Sequence, residues 1–171
     1  MAKHLIYLIA SLLFLPLHAQ KPERINFTHI GLEEGLSQST VFDIVQDKYD
    51  NMWFATYNGL NKYDGYTFTI YQHNDKNEYS LGCDIIRSLE TDNQGKVWIG
   101  TYEGLSLYDY EKECFYNFQY KKGNKNMPVN NIVTVNDELL LICTDDELIL
   151  FDIPTRSFTK SQLNPQLFII K

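Results

Sequence analysis

The chain has 171 residues, with 22 Asp+Glu against 15 Lys+Arg, a formal charge of -7, and 44% hydrophobic and 14% aromatic residues. That length holds one modest globular domain, and 9 Gly, 5 Pro, 12 Tyr and 10 Phe fit neither a collagen, nor a disordered acidic tail, nor a polytopic membrane protein. The acidic balance without a Lys/Arg stripe argues against a nucleic-acid partner, because phosphate neutralisation supplies most of such binding.

At the N-terminus, Lys3 and His4 precede an apolar run from Leu5 to Leu17 that ends in Leu17-His18-Ala19. The run is too short for the roughly 20 residues that span a bilayer, and Ala19 is the small residue a signal peptidase needs. Residues 1–19 are therefore expected to be a secretory signal peptide, with an uncleaved anchor as the alternative. After its removal no further apolar run is long enough to span a membrane, so the mature chain is expected to be soluble in an exported compartment. Cys83, Cys114 and Cys143 are odd in number, widely spaced and without a CxxC or Cys/His ligand pattern. Each is expected to be a small buried residue, with no disulfide framework.

Residues 20–35 are expected to form an N-terminal lead-in strand. Beyond it the chain repeats itself, the first feature to seek because a missed repeat mis-assigns the whole fold. Residues 51–64 overlay residues 96–109 with Trp, Thr, Tyr, Gly, Leu, Tyr and Asp coincident at a constant offset of 45. The same offset carries Leu36 to Leu81, Ile44 to Leu89 and Asp47 to Asp92. A weaker third copy runs from Val129 to Asp152, with Leu141 in place of the Trp and a turn shortened by about three residues.

Within each unit the pieces are short and rich in Val, Ile, Tyr, Trp and Phe, which is strand chemistry. Strands are predicted at Val41–Asp47, Met52–Thr56, Leu60–Tyr63 and Thr67–Tyr71, and again at Ile85–Thr91, Val97–Thr101, Leu105–Asp109 and Phe115–Tyr120. Asn58-Gly59 and Asp64-Gly65 predict two-residue hairpins, since both central residues tolerate positive φ. Four short strands per unit of about 45 residues is the arithmetic of a β-propeller blade. The expected fold is all-β, about three four-stranded antiparallel meanders forming an incomplete, open propeller. Blade 1 spans 36–80, blade 2 spans 81–127 and a degenerate blade 3 spans 128–163, with polar linkers at 72–80 and 121–127. Residues 164–171 resemble the start of a further blade that has been cut off.

The segments Gly35-Leu36-Ser37-Gln38-Ser39-Thr40-Val41 and Trp98-Ile99-Gly100-Thr101-Tyr102-Glu103-Gly104-Leu105 resemble the two-component regulator propeller repeat. That repeat fills the periplasmic sensor half of Bacteroidetes hybrid two-component systems. The resemblance implies a propeller fold and a role in detecting oligosaccharides for signal transduction. It also implies a longer protein with more blades, a membrane span, a histidine kinase, a receiver for the phosphorelay and a DNA-binding module.

Residues that recur in both strong units suit architecture better than chemistry, since a catalytic group is normally needed once. Trp53 and Trp98 are expected between neighbouring blades, and Thr56, Gly59, Thr101 and Gly104 at equivalent turns. His29 and His73 stand without metal-ligand spacing, and no nucleophile elbow, phosphate loop or zinc motif is present. No catalytic residue, metal or cofactor is therefore expected. Tyr57, Asn58, Tyr102 and Glu103, on turns, are the candidates for stacking on and hydrogen-bonding a sugar. The leading expectation is a non-catalytic sensor propeller, with an oligosaccharide ligand bound through the complete sensor. The alternatives are an exported module for protein–protein interaction, self-associating through open blade faces, and a non-functional truncated product.

Overall fold

The computed structural model describes residues 26–160. The expected signal peptide at 1–19 and the expected further blade at 164–171 lie outside the described residues. Three four-stranded antiparallel sheets follow one another along the chain, each a meander whose strands pair in sequence order. The first holds β1 (Val41–Gln46), β2 (Met52–Thr56), β3 (Leu60–Tyr63) and β4 (Phe68–Tyr71). The second holds β5 (Ile86–Thr91), β6 (Val97–Thr101), β7 (Gly104–Asp109) and β8 (Cys114–Phe118). A small hairpin follows, β9 (Lys121–Lys122) with β10 (Lys125–Asn126), and then the third sheet of β11 (Asn131–Asn136), β12 (Leu139–Cys143), β13 (Leu148–Asp152) and β14 (Ser157–Lys160).

The predicted strands of the first two blades lie within two residues of those observed. Three details differ. The segment 121–127 is not a plain linker, because Lys121↔Asn126 and Lys122↔Lys125 pair across Gly123-Asn124, with Gly123 at φ 64°. Residues 26–35, the described part of the expected lead-in strand, contain no strand, and from Gly31 onward they fold into a turn closed by Leu36 N–H donating to Gly31 O. At Asp64-Gly65 only Gly65 takes a positive φ, of 96°, and at Asn58-Gly59 only Gly59 does, of 97°, so neither dipeptide forms the predicted two-residue hairpin.

A side chain organises that last turn instead. Thr56 Oγ1 donates to Gly59 O at 2.8 Å and accepts from Asn58 N–H at 3.0 Å. Thr101 repeats the pair of bonds with Gly104 O and Glu103 N–H at 3.0 and 3.2 Å. A Cβ on Gly59 or Gly104 would also lie 2.5 Å from the carbonyl oxygen of Tyr71 or Phe118, so both the conformation and the close approach of the outermost strand require glycine. In the third sheet Thr144 keeps the bond, to Glu147 O at 2.9 Å, but residue 147 has no positive φ and needs no glycine.

Two apolar clusters hold the three sheets together. Trp53, Ala55 and Leu60 of the first sheet pack against Leu89, Val97, Ile99, Tyr108 and Phe115 of the second. Trp98, Leu105 and Leu107 of the second pack against Ile132, Leu140, Ile142, Ile149 and Phe151 of the third. Each Trp sits on the second strand of its sheet and is 0% exposed. Fully burying an aromatic side chain contributes roughly 2 to 3 kcal/mol by area, so these two residues are the main seals between successive sheets.

Candidate functional site

An indole N–H so deeply buried needs an acceptor, and the first turn of each strong blade supplies one. Trp53 Nε1 donates to Asp47 Oδ2 at 2.7 Å and Trp98 Nε1 to Asp92 Oδ2 at 2.9 Å. The other carboxylate oxygen ties down the turn, accepting the amides of Tyr49 and Asn51 in blade 1 and of Gln94 and Lys96 in blade 2. Burial opposes ionisation of Asp47, yet bonds from Trp53, Asn51, the Tyr49 amide and Tyr110 together hold its carboxyl below the usual range. In blade 3 the five-residue turn shrinks to Asp137-Glu138, the carboxylate acceptor is gone and Leu141 replaces the Trp. The Asp–Trp pair is gained or lost as a unit.

At the opposite end of the sheets lie the turns between second and third strands, which carry the sequence candidates. Tyr57, Asn58, Tyr102 and Glu103 are all exposed there. Tyr57 packs on Phe42 at a centroid distance of 4.1 Å with the rings tilted by 34°, and its amide donates to Gln38 Oε1 at 3.0 Å. Asn58 is engaged within its own blade, donating to Ser37 O at 3.2 Å and accepting from Gln72 Nε2 at 3.1 Å. Tyr102 carries the Arg87 guanidinium over its ring at 5.6 Å.

Phe42 and Arg87 are 45 residues apart, as are Tyr57 and Tyr102, so the two contacts are repeats of one another. Both residues sit at irregularities of the innermost strand, between Val41 and Asp43 and between Ile86 and Ser88. A bulge re-aims a side chain out of strict alternation, and here it lays that side chain over the neighbouring turn. The third blade continues the row with Asn130, whose Nδ2 donates to Asp145 Oδ1 at 2.7 Å. Arg87 Nη1 donates to Asn130 Oδ1 at 2.7 Å and links the second contact to the third. Arg87 Nε is buried without a hydrogen-bond partner.

Sequence reasoning reached Tyr57, Asn58, Tyr102 and Glu103 but missed Phe42, Arg87, Asn130 and Asp145. The repeat offset pointed to Phe42 and Arg87, since the positions opposite a turn in one blade are opposite it in the next. The three contacts are chemically different: a tilted ring pair, a cation over a ring, and an amide–carboxylate bond. The neighbouring Thr56, Thr101 and Thr144 keep one bond in all three blades where this edge does not.

The three thiols are half-buried rather than enclosed, unpaired, and pushed up in pKa by burial. Among the described residues no group of three or more His, Cys, Asp and Glu side chains is placed to hold a metal ion, and no helix is long and apolar enough to cross a membrane.

Residues 35–58 and 80–103 match the family described as two-component regulator propeller. A histidine kinase, P4, of Formosa agariphila is 43% identical over 76 residues, which are 43% of this chain and 5% of that protein. Among solved structures, the extracellular domain of a hybrid two-component system from B. thetaiotaomicron superposes with a TM-score of 0.70 at 33% identity, covering 78% of this chain and 20% of that one. A second extracellular domain from the same organism, described as belonging to a one-component system, superposes at 0.64 over 84% of this chain and 18% of its own, with 18% identity, and so attests the fold alone. The chain thus spans a fifth or less of the length of each of these relatives. Two stretches of it are similar to the two-component regulator propeller repeat, and it is built like a stretch of the extracellular domain of a hybrid two-component system.

Proposed function

We propose that this chain forms part of an exported, periplasmic sensor propeller that binds an oligosaccharide without converting it, and that the row of turns bearing Tyr57 and Tyr102 faces the ligand. The observation that carries this reading is the divergence of Phe42–Tyr57, Arg87–Tyr102 and Asn130–Asp145 at equivalent positions. A repeat that only needed to fold would keep one solution there, as it does at Thr56, Thr101 and Thr144 in all three blades and at the Trp and Gly positions of the first two. Exposed tyrosine faces suit the apolar side of a pyranose, while the amide, carboxylate and guanidinium supply donors and acceptors for hydroxyls. Repetition of the polar framework residues supports a non-catalytic role.

The test is an NMR titration of the chain with a panel of neutral plant and host oligosaccharides. Shifts centred on Tyr57, Arg87 and Tyr102, and lost in Tyr102→Ala, are expected. Shifts confined elsewhere would sink the ligand-facing assignment, and reproducible glycan cleavage abolished by replacing one acid would overturn the non-catalytic one.

One observation favours a second reading, a module for protein–protein association. The face of blade 1 turned away from blade 2 exposes Ile44 at 48% and Ile70 at 45%.

A further inference from the structure

The ends of the blades opposite Tyr57 and Tyr102 form a separate, open cavity of about 260 Å³. Its walls come from all three blades: Lys48 and Tyr49 from the first turn of blade 1, Lys96 and Tyr110 from turns of blade 2, Tyr116 from β8, and Arg156 from the last turn of blade 3. We propose that this cavity binds an acidic sugar, a uronate-type pyranose whose carboxylate meets the three cations while its ring lies against the tyrosines.

Charge is the first argument. In a chain with an excess of acids, Lys48, Lys96 and Arg156 converge on one cavity, and among the described residues none has a carboxylate oxygen within 4.0 Å. Two acids also line it. Asp109, which accepts the amides of Glu111 and Lys112 at 2.9 and 3.0 Å, and Glu111 both count against the three cations. The three cations therefore outnumber the carboxylates facing them.

Placement is the second argument. The Lys48 ammonium lies 5.2 Å from the Tyr49 ring centre and 5.7 Å from that of Tyr110, and the Arg156 guanidinium lies 4.9 Å from that of Tyr116. The Lys48 stem crosses the next blade so closely that a Cβ on Gly95 would lie 2.7 Å from its Cδ. Glycine at 95, with φ 73°, thus leaves the track along which Lys48 reaches the cavity. Tyr110 is fixed in turn, its hydroxyl donating to Asp47 Oδ2 at 2.9 Å. Cations held over ring faces beside an open cavity give both charge-assisted hydrogen bonds for a carboxylate and stacking surface for a sugar ring. The site lies within the three described blades and is independent of the edge assigned to oligosaccharide above.

The experiment titrates the full chain with digalacturonate and, in parallel, with its methyl ester, which keeps the rings and removes the charge. Saturable binding of the acid is expected, with shifts at Tyr49, Tyr110 and Tyr116, weakening as salt is raised, and at least about tenfold weaker for the ester. The double variant Lys48→Met, Arg156→Gly should lose at least about tenfold in affinity. Met keeps the stem over Gly95, and glycine suits φ 53° at position 156, so the fold should persist, as circular dichroism would verify. Tyr66→Ala, on an exposed turn outside both sites, should leave this binding unchanged. Equal binding of acid and ester, undiminished binding by the folded double variant, no saturation by either sugar, or sulfate binding as tightly as the uronate would each overturn the proposal.

Discussion

The indole N–H of Trp98 donates to the Asp92 carboxylate at 2.9 Å, six residues back along the chain, with both side chains almost fully buried. That bond couples the seal between blades 2 and 3 to the turn at the end of β5. Trp98→Ala removes a core aromatic and should cost about 3 to 5 kcal/mol. Asp92→Ala leaves the indole unsatisfied and should cost about 1 to 3 kcal/mol. Because both act on one bond, the double variant should be less destabilised than the sum of the singles. Additive losses in urea unfolding would mean that the pair is not coupled.

Glycine is expected to matter unequally. Gly59 and Gly104 combine positive φ with a carbonyl oxygen 2.5 Å from the place a Cβ would occupy, whereas Gly65 and Gly123 have positive φ and open space. Gly→Ala at 65 or 123 should therefore cost the conformational strain alone, about 1 to 2 kcal/mol. The same change at 59 or 104 should cost clearly more, because the outermost strand must move as well. Thermal unfolding of the four variants gives the order, and equal losses at all four would remove the close approach from the account.

Most of the framework was legible because its determinants are local and repeated. Trp53 and Trp98 announced equivalent buried positions through a fixed offset and an apolar period of two, and both lie between sheets as that pattern requires. The shortened first turn of blade 3 was visible as missing residues. What escaped were features set by side-chain reach across the chain. Phe42 and Arg87 leave the alternation because their strands are irregular there, and period-two reasoning cannot place such residues. The hairpin of β9 and β10 pairs Lys and Asn with no apolar face, so the only signal was Gly123-Asn124. At Asn58-Gly59 the Thr56 hydroxyl supplies the turn's organising bonds, where dipeptide preferences suggested a tighter hairpin.

Acid sensitivity should trace to Asp47. Its folded carboxyl titrates below the usual range despite burial, because Trp53, Asn51, the Tyr49 amide and Tyr110 all donate to the ionised form. The folded state therefore binds fewer protons than the unfolded state across the carboxylate range. The associated stability is fully present above the unfolded value of about 3.9 and is lost as pH falls through the lower folded value. Asp47→Asn should be less stable near neutrality and should show a shallower loss of stability on acidification. An unchanged acid slope in the variant would reassign the acid sensitivity to other carboxylates.

The last expectation concerns the uncovered face of blade 1. Cross-strand pairing places Ile44, Phe54, Asn61 and Ile70 in one row, the counterparts of the row that begins Leu89, Ile99 and Ser106 in blade 2. In blade 2 that row lies in the interface with blade 1, with Leu89 and Ile99 in its apolar cluster. In blade 1 the same chemistry faces outward, with Ile44 and Ile70 about half exposed. Blade 3 adds Val133 and Val135, also exposed, on β11. Apolar sheet faces of this kind drive association in water, so the isolated chain should sediment as oligomers. Replacing Ile44 and Ile70 by Lys should shift it toward monomer, with a modest change in unfolding free energy because neither side chain is buried. If the unsubstituted chain sediments as a soluble monomer at the same concentrations as the Lys variant, this face is not an association surface and the interaction-module reading of the chain falls with it.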